Sequence, residues 1–302
     1  MSLAAAAVAL VLAAGPPDVP DVTRTVSVGS AQRSYLVHLP AAFDAKREYP
    51  VVLAFHGGAT NAAVMARFSG LSEKADQAGF IVVYPSGSGR LERVLTWNAG
   101  RCCGYASEHA VDDVGFVRAL LEDLAHVARI DRHRVFATGI SNGGQMAYRV
   151  AAELPDVVAA IAPVSGSLEV EVPRVSRPVS VVHFHGTDDE YLPFEGGRGP
   201  RSLVTGSHAS VARSIGTWVK LDRCRPTALL AQLAPTVADG TTVVRHSYVG
   251  CRDGAEVMLY EIRGGGHTWP GRPSPERLLG KATQNVSAND VMWEFFTRHP
   301  MR

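Results

Sequence analysis

Cysteine is scarce: four residues in 302, none of them before Cys102, so the N-terminal region offers no thiol for a lipid anchor. Neither sign of charge is in excess. Lys plus Arg number 30 against 29 Asp plus Glu, a formal net charge of +1, which gives no overall field to attract nucleic acid or an anionic membrane. The longest apolar run, residues 3–14, falls short of the roughly 20 residues that a membrane-spanning helix needs. No C-x-x-C pair and no ordered histidine spacing supports a zinc site, and no metal or organic cofactor is expected. No period of about 20–50 residues repeats, which excludes solenoids and propellers. Gly (29) and Pro (18) are too few for a low-complexity chain, whereas 46% hydrophobic and 20% charged residues suit a soluble globular protein with a sizeable core.

Leu3 to Ala14 is apolar throughout and is followed by Gly15, Pro16 and Pro17. This reads as the core and cleavage region of a secretory signal peptide, although no Lys or Arg precedes it. Residues 1–20 are therefore set apart, and a freely secreted protein without stable membrane association is expected. The cysteines, Cys102, Cys103, Cys224 and Cys251, fit an oxidising compartment. Four allow three pairings, and the sequence does not choose among them. Cys224 with Cys251 is preferred, a link worth about 3 kcal/mol on a chain-entropy argument; Cys102 and Cys103 would then be a neighbouring-residue disulfide or two thiols.

β-rich apolar runs alternate with amphipathic helical stretches, the pattern of an α/β fold with a mostly parallel sheet covered by helices. Strands are predicted at 33–39, 51–55, 80–84, 134–138, 158–164, 179–184 and 257–262. Helices are predicted at 62–78, 111–129, 142–153, 207–221 and 288–298. Asp112 and Asp113 open the second helix, where negative charge suits the helix dipole. Residues 86–110 form a loop of roughly 25 residues, long enough to suggest function. No Ser/Thr- or Pro-rich linker divides residues 21–302, read as one catalytic domain with no appended substrate-binding domain.

Between the strand at 134–138 and the helix at 142–153 lies Gly139-Ile140-Ser141-Asn142-Gly143, a G-x-S-x-G in the strand–turn–helix setting that its chemistry requires. A serine hydroxyl is a weak nucleophile and must be thrust out to where a base can reach it. The sharp turn that does so leaves no room for a Cβ two residues away on either side. The following helix aims its N-terminus, with the Asn142 N–H, at any oxyanion that forms. Two further motifs follow in the chain order Ser, acid, His. After the strand ending at Phe184 comes His185-Gly186-Thr187-Asp188-Asp189-Glu190, with several acids in competition. After the last strand comes Gly264-Gly265-Gly266-His267-Thr268-Trp269-Pro270-Gly271. His267 alone among 11 histidines has this late, glycine-flanked setting and is the predicted base. His56-Gly57-Gly58 would supply the second oxyanion N–H, with Gly58 as donor and Ala59 as the rival.

These motifs, together with Tyr84-Pro85, Trp97-Asn98 and Val111-Asp112-Asp113-Val114-Gly115-Phe116, resemble the extracellular polyhydroxybutyrate depolymerase/feruloyl esterase (LpqC-type) group of serine esterases. The resemblance runs from about residue 33 to residue 296. It implies an α/β-hydrolase fold, a Ser141 nucleophile, a His267 base and an Asp189 acid. In similar proteins the acid stands three residues after the glycine of His-Gly-Thr and four before a proline, which leaves Asp188 as runner-up. Trp97 and Trp269 would line the substrate pocket. The expected activity is hydrolysis of short-chain, hydroxyalkanoate-oligomer, or feruloyl and acetyl polysaccharide esters, with a small or oligomeric ester as the partner and no nucleic acid. An acyltransferase or peptidase of the same superfamily, or a binding protein without catalysis, are the alternatives.

Overall fold

The apolar runs near residues 53, 83, 162 and 183 have no polar alternation, so each must be covered on both faces. The computed structural model, which describes residues 21–171, 175–202, 204 and 206–302, shows how. The strands are β1 (Val22–Val28), β2 (Ala31–His38), β3 (Tyr49–Phe55), β4 (Ile81–Pro85), β5 (Ser88–Leu91), β6 (Val94–Thr96), β7 (Ile130–Ile140), β8 (Ala160–Val164), β9 (Ser180–Gly186), β10 (Leu229–Gln232), β11 (Thr242–Tyr248) and β12 (Val257–Arg263). The helices are α1 (Ala62–Ser69), α2 (Leu71–Ala78), α3 (Gly104–Glu108), α4 (Asp113–Leu124), α5 (Asn142–Glu153), α6 (Val211–Leu221), α7 (Glu276–Leu279) and α8 (Ala288–Arg298).

Ten strands form one sheet in the order β1-β2-β4-β3-β7-β8-β9-β12-β11-β10. The six from β4 to β12 run parallel, and an antiparallel pair borders them on each side. One face packs on α4, α5 and α6 through Phe116, Tyr148 and Trp218. The other packs on α1, α2 and α8 through Met65, Leu71 and Phe296. Parallel strands share a direction, so the segments leaving β3, β7, β9 and β12 emerge along one rim, the edge where open α/β sheets bind ligands.

Several elements differ from the sequence expectation. The single helix predicted over 62–78 is two, because Gly70 takes a left-handed conformation (φ 62°) and ends α1 while starting α2. β1, β10 and β11 were not predicted. β10 is exposed at every position and β1 at alternate ones, so neither carries a buried apolar signal. The long loop contains the β5–β6 hairpin and α3. Cys224 is bonded to Cys251, as preferred from the sequence, linking the end of α6 to the turn after β11. The signal-peptide-like segment expected at 1–20 lies outside the described residues. Among the described residues, no helix is long and apolar enough to cross a membrane.

Candidate active site

Ser141 occupies the single residue between β7 and α5, at φ 58° and ψ −124°, a region that non-glycine residues adopt only under constraint. The constraint is visible on both sides. The Ser141 N–H donates to the Val164 carbonyl at 3.0 Å, and its own carbonyl accepts from Gln145 N–H at 3.0 Å. A Cβ at Gly139 would stand 2.6 Å from the Phe55 carbonyl oxygen, and one at Gly143 would be closer still. Only glycine at both positions lets β3, β7 and α5 approach closely enough to lift the serine above the rim.

Asp189 stands in the turn after β9 and His267 in the loop after β12. Asp189 is 4% exposed. Its Oδ1 accepts the backbone N–H groups of Tyr191 and Leu192, each at 2.9 Å, and its Oδ2 accepts from His267 Nδ1 at 2.7 Å. Burial alone would raise the carboxyl's pKa. The facing His267, then its hydrogen bond, then His185 and the Leu192 N–H outweigh that and hold it below the usual carboxylate value. Asp188, by contrast, is exposed and accepts a hydrogen bond from the Thr187 hydroxyl. The His267 backbone N–H is pinned to the Leu279 carbonyl at 2.6 Å, and its ring lies 5.0 Å from that of Tyr191. Among the described residues no hydrogen bond joins Ser141 Oγ to His267.

A cavity of about 170 Å³ opens beside Ser141, with Gly58, Asn142, Tyr191, Leu192 and His208 in its walls. Gly58 and Asn142 lie together: a Cβ at Gly58 would be 3.6 Å from that of Asn142. Ala59 is the weaker donor, because its N–H is already given to the Leu95 carbonyl at 2.9 Å. Trp97 and Trp269, expected in this pocket, are not there. Both indoles are fully buried; Trp97 Nε1 donates to the His56 carbonyl at 2.9 Å and Trp269 Nε1 to Asn289 Oδ1 at 2.9 Å. Their bulk fills the core, and their N–H groups find partners there. Trp97 serves the site through its backbone instead. Its N–H donates to Asn142 Oδ1 at 2.7 Å, and its carbonyl accepts from Asn142 Nδ2 at 3.1 Å.

Other supporting residues escaped sequence reasoning. His56 donates from Nδ1 to the Gly57 carbonyl at 2.8 Å and accepts from the Gly87 N–H at Nε2, 2.9 Å away. Burial is the main reason its pKa falls to about 4, with the Arg33 charge adding to it and the Gly57 carbonyl opposing, so it is a neutral brace. Asp112 caps α4 by accepting from Gly115 N–H at 2.7 Å, as expected, but Asp113 does not. It is fully buried, pairs with Arg33 at 2.7 Å and accepts the Asn98 N–H at 2.8 Å, which ties the Trp97–Asn98 loop to β2. Nothing in a lone Arg33 within an alternating strand pointed to that pair.

The family model "Esterase PHB depolymerase" matches residues 33–186. The "Putative esterase NocK" of Nocardia uniformis subsp. tsuyamanensis is 32% identical over 296 residues, covering 92% of this chain and 83% of that one. Feruloyl esterase B of Piromyces equi is 29% identical over 78% of this chain, which spans only 42% of that longer protein. Among solved structures, an acetyl xylan esterase from Aspergillus awamori shares the fold, with a TM-score of 0.60 at 15% identity over 92% of this chain and 99% of that one. The chain belongs to the esterase PHB depolymerase family, carboxylic ester hydrolases built on the α/β-hydrolase fold.

Proposed function

We propose that Ser141, His267 and Asp189 act as a catalytic triad in a secreted serine esterase. The reading is carried by one observation: the 2.7 Å hydrogen bond from His267 Nδ1 to buried Asp189, on the same rim as the half-buried elbow serine. With Nδ1 donating to the acid, Nε2 is the nitrogen left to take the Ser141 proton as the hydroxyl attacks the ester carbonyl. The missing Ser–His hydrogen bond fits a resting enzyme, in which such contacts are often long and tighten with substrate bound. The Gly58 and Asn142 N–H groups would hold the oxyanion, each such donor commonly worth about 3 kcal/mol. The alcohol leaves with the proton from His267, and water then repeats the attack on the acyl-enzyme.

A cavity of about 170 Å³ suits a compact acyl group. Short-chain, hydroxyalkanoate, feruloyl and acetyl esters are the substrates to test, the last two also because relatives are named feruloyl esterase and acetylxylan esterase. The Cys224–Cys251 disulfide favours the secreted location. Ser141→Ala is expected to reduce p-nitrophenyl butyrate turnover on the order of 10⁶-fold, to background, with an unchanged circular-dichroism spectrum. Turnover that survives in the folded variant overturns the reading. Methyl ferulate, acetylated xylan and hydroxybutyrate oligomers, compared on the wild type, rank the substrates.

A further inference from the structure

Beneath the acid lies a run of buried polar side chains that the triad chemistry does not use. His183 and His185 alternate along β9 and so point to the same face; both are buried within the core. A buried imidazole is tolerated only when its two nitrogens find partners, and here each does. The Tyr148 hydroxyl on α5 lies 2.9 Å from His183 Nδ1. His183 Nε2 lies 3.0 Å from His185 Nδ1, the two rings parallel to within 2°. His185 Nε2 lies 2.8 Å from the Leu192 carbonyl oxygen.

The order of donors follows from the last contact. A carbonyl only accepts, so His185 carries its proton on Nε2 and accepts at Nδ1. His183 must then donate from Nε2 and accept at Nδ1, and Tyr148 must donate its O–H. One tautomer of each ring satisfies all three bonds, and all the protons point along the chain toward the acid. The His185 N–H also lies 3.5 Å from Asp189 Oδ2, the oxygen that holds His267. Leu192, whose carbonyl the chain grips, uses its own N–H to hold Asp189 Oδ1.

We propose that His185, oriented by His183 and Tyr148, is a positioning residue for Asp189. The relay locks the 189–192 turn and presents an N–H dipole to the carboxylate, so that Asp189 keeps its charge and its aim as His267 becomes protonated. This rests on the triad reading above. Charge in the chain itself would destroy the donor order. Burial first, then the neighbouring His185, lowers the His183 pKa; burial lowers that of His185 against the pull of Asp189 and the Leu192 carbonyl, with His267 adding to the lowering. The titratable groups around His185 are His183 on its own strand, Tyr148 on α5, Asp189, His267 and Glu261. Glu261 is in register with it on β12 and is engaged by His246 and Arg263.

The test has two arms. In ¹⁵N-histidine-labelled protein near neutral pH, both His183 and His185 are expected to show a protonated Nε2 and a bare Nδ1. A protonated Nδ1 on either ring overturns the proposal. In kinetics with p-nitrophenyl butyrate, His185→Phe is expected to lower kcat about ten-fold, by analogy with losing the hydrogen-bonded partner behind a metal-ligating side chain, with little change in KM. The acid limb of kcat/KM should move to lower pH, because a less constrained Asp189 supports the imidazolium less. His185→Gln, which restores a donor near Nε2, should recover most of kcat. If His185→Phe does not fold, Tyr148→Phe removes only the leading donor and should move kcat and the acid limb the same way by a smaller amount. An unchanged kcat and pH profile in the folded variants, while Ser141→Ala is inactive, sinks this proposal and leaves the triad standing; an active Ser141→Ala sinks the triad itself.

Discussion

Asp189 lies where water hardly reaches, and its carboxylate is held on both oxygens: two backbone N–H groups donate to one and His267 to the other, with the His185 ring edge 3.5 Å from the latter. Its pKa is held below the ordinary carboxylate value, so the sign of its contribution to folding is clear. The stability it lends is complete above the unfolded-state carboxyl pKa and is lost as pH falls through the lower folded value. Asp189→Asn is expected to lose on the order of 10⁴-fold in kcat, as when the orienting acid of a triad is replaced by its amide. Its destabilisation, measured by urea titration, should be present at neutral pH and fade in strong acid. A destabilisation independent of pH would mean that the carboxylate charge is not what binds the turn. Asp188 and Asp189 are adjacent acids whose difference lies in which one the turn after β9 buries, and only the proline spacing shared with similar proteins separated them beforehand. Trp97 and Trp269 lie within motifs of the site, but adjacency in sequence to a functional residue does not fix which way a side chain faces; both indoles turned inward.

The strand–turn–helix at 139–143 was legible because its demands are local: a strained serine and glycines wherever two backbones meet. The break at Gly70 was not, since Phe68, Leu71 and Ala75 keep a helical spacing straight through it. The edge strands β1 and β10 were unreadable for a related reason, because half-exposed or exposed strands bury too little to leave an apolar alternation. α6 shows a tension of its own. Its C-terminal cap, Asp222, gives its backbone N–H to the Trp218 carbonyl and accepts from Arg252 N–H, while its side chain is fully buried. Burial lifts its pKa to about 7, which the Val179 backbone, Arg252 and Arg177 counter only in part. A folded-state pKa above the unfolded one means stability that is full at low pH and is lost as pH rises toward 7. The penalty on the ionised form is on the order of 4 kcal/mol. Asp222→Asn is therefore expected to stabilise the protein, with a gain in denaturation free energy that grows between mildly acidic and neutral pH and then levels off. A gain that stays constant across that range would contradict the buried-acid explanation.

At the scale of the molecule, the six parallel strands do the assembling. The groups that Ser141, Asp189 and His267 carry are 48 and 78 residues apart along the chain, yet each leaves the sheet at a strand's C-terminal end, on one rim. That architecture was legible from alternating apolar runs and helices, because buried parallel strands must be apolar on both faces. The braces around the rim were less so: Arg33 with Asp113, His56 with Gly87, and the Tyr148–His183–His185 chain each join elements remote in sequence, and no local pattern records a contact between distant polar residues. The direct measurement is covalent labelling of the wild-type protein with a fluorophosphonate, followed by peptide mass spectrometry. One phosphonyl group is expected, on the peptide carrying Ser141, and His267→Gln should slow its attachment sharply. Labelling at another serine, or at an undiminished rate without His267, would contradict a nucleophile activated by that imidazole.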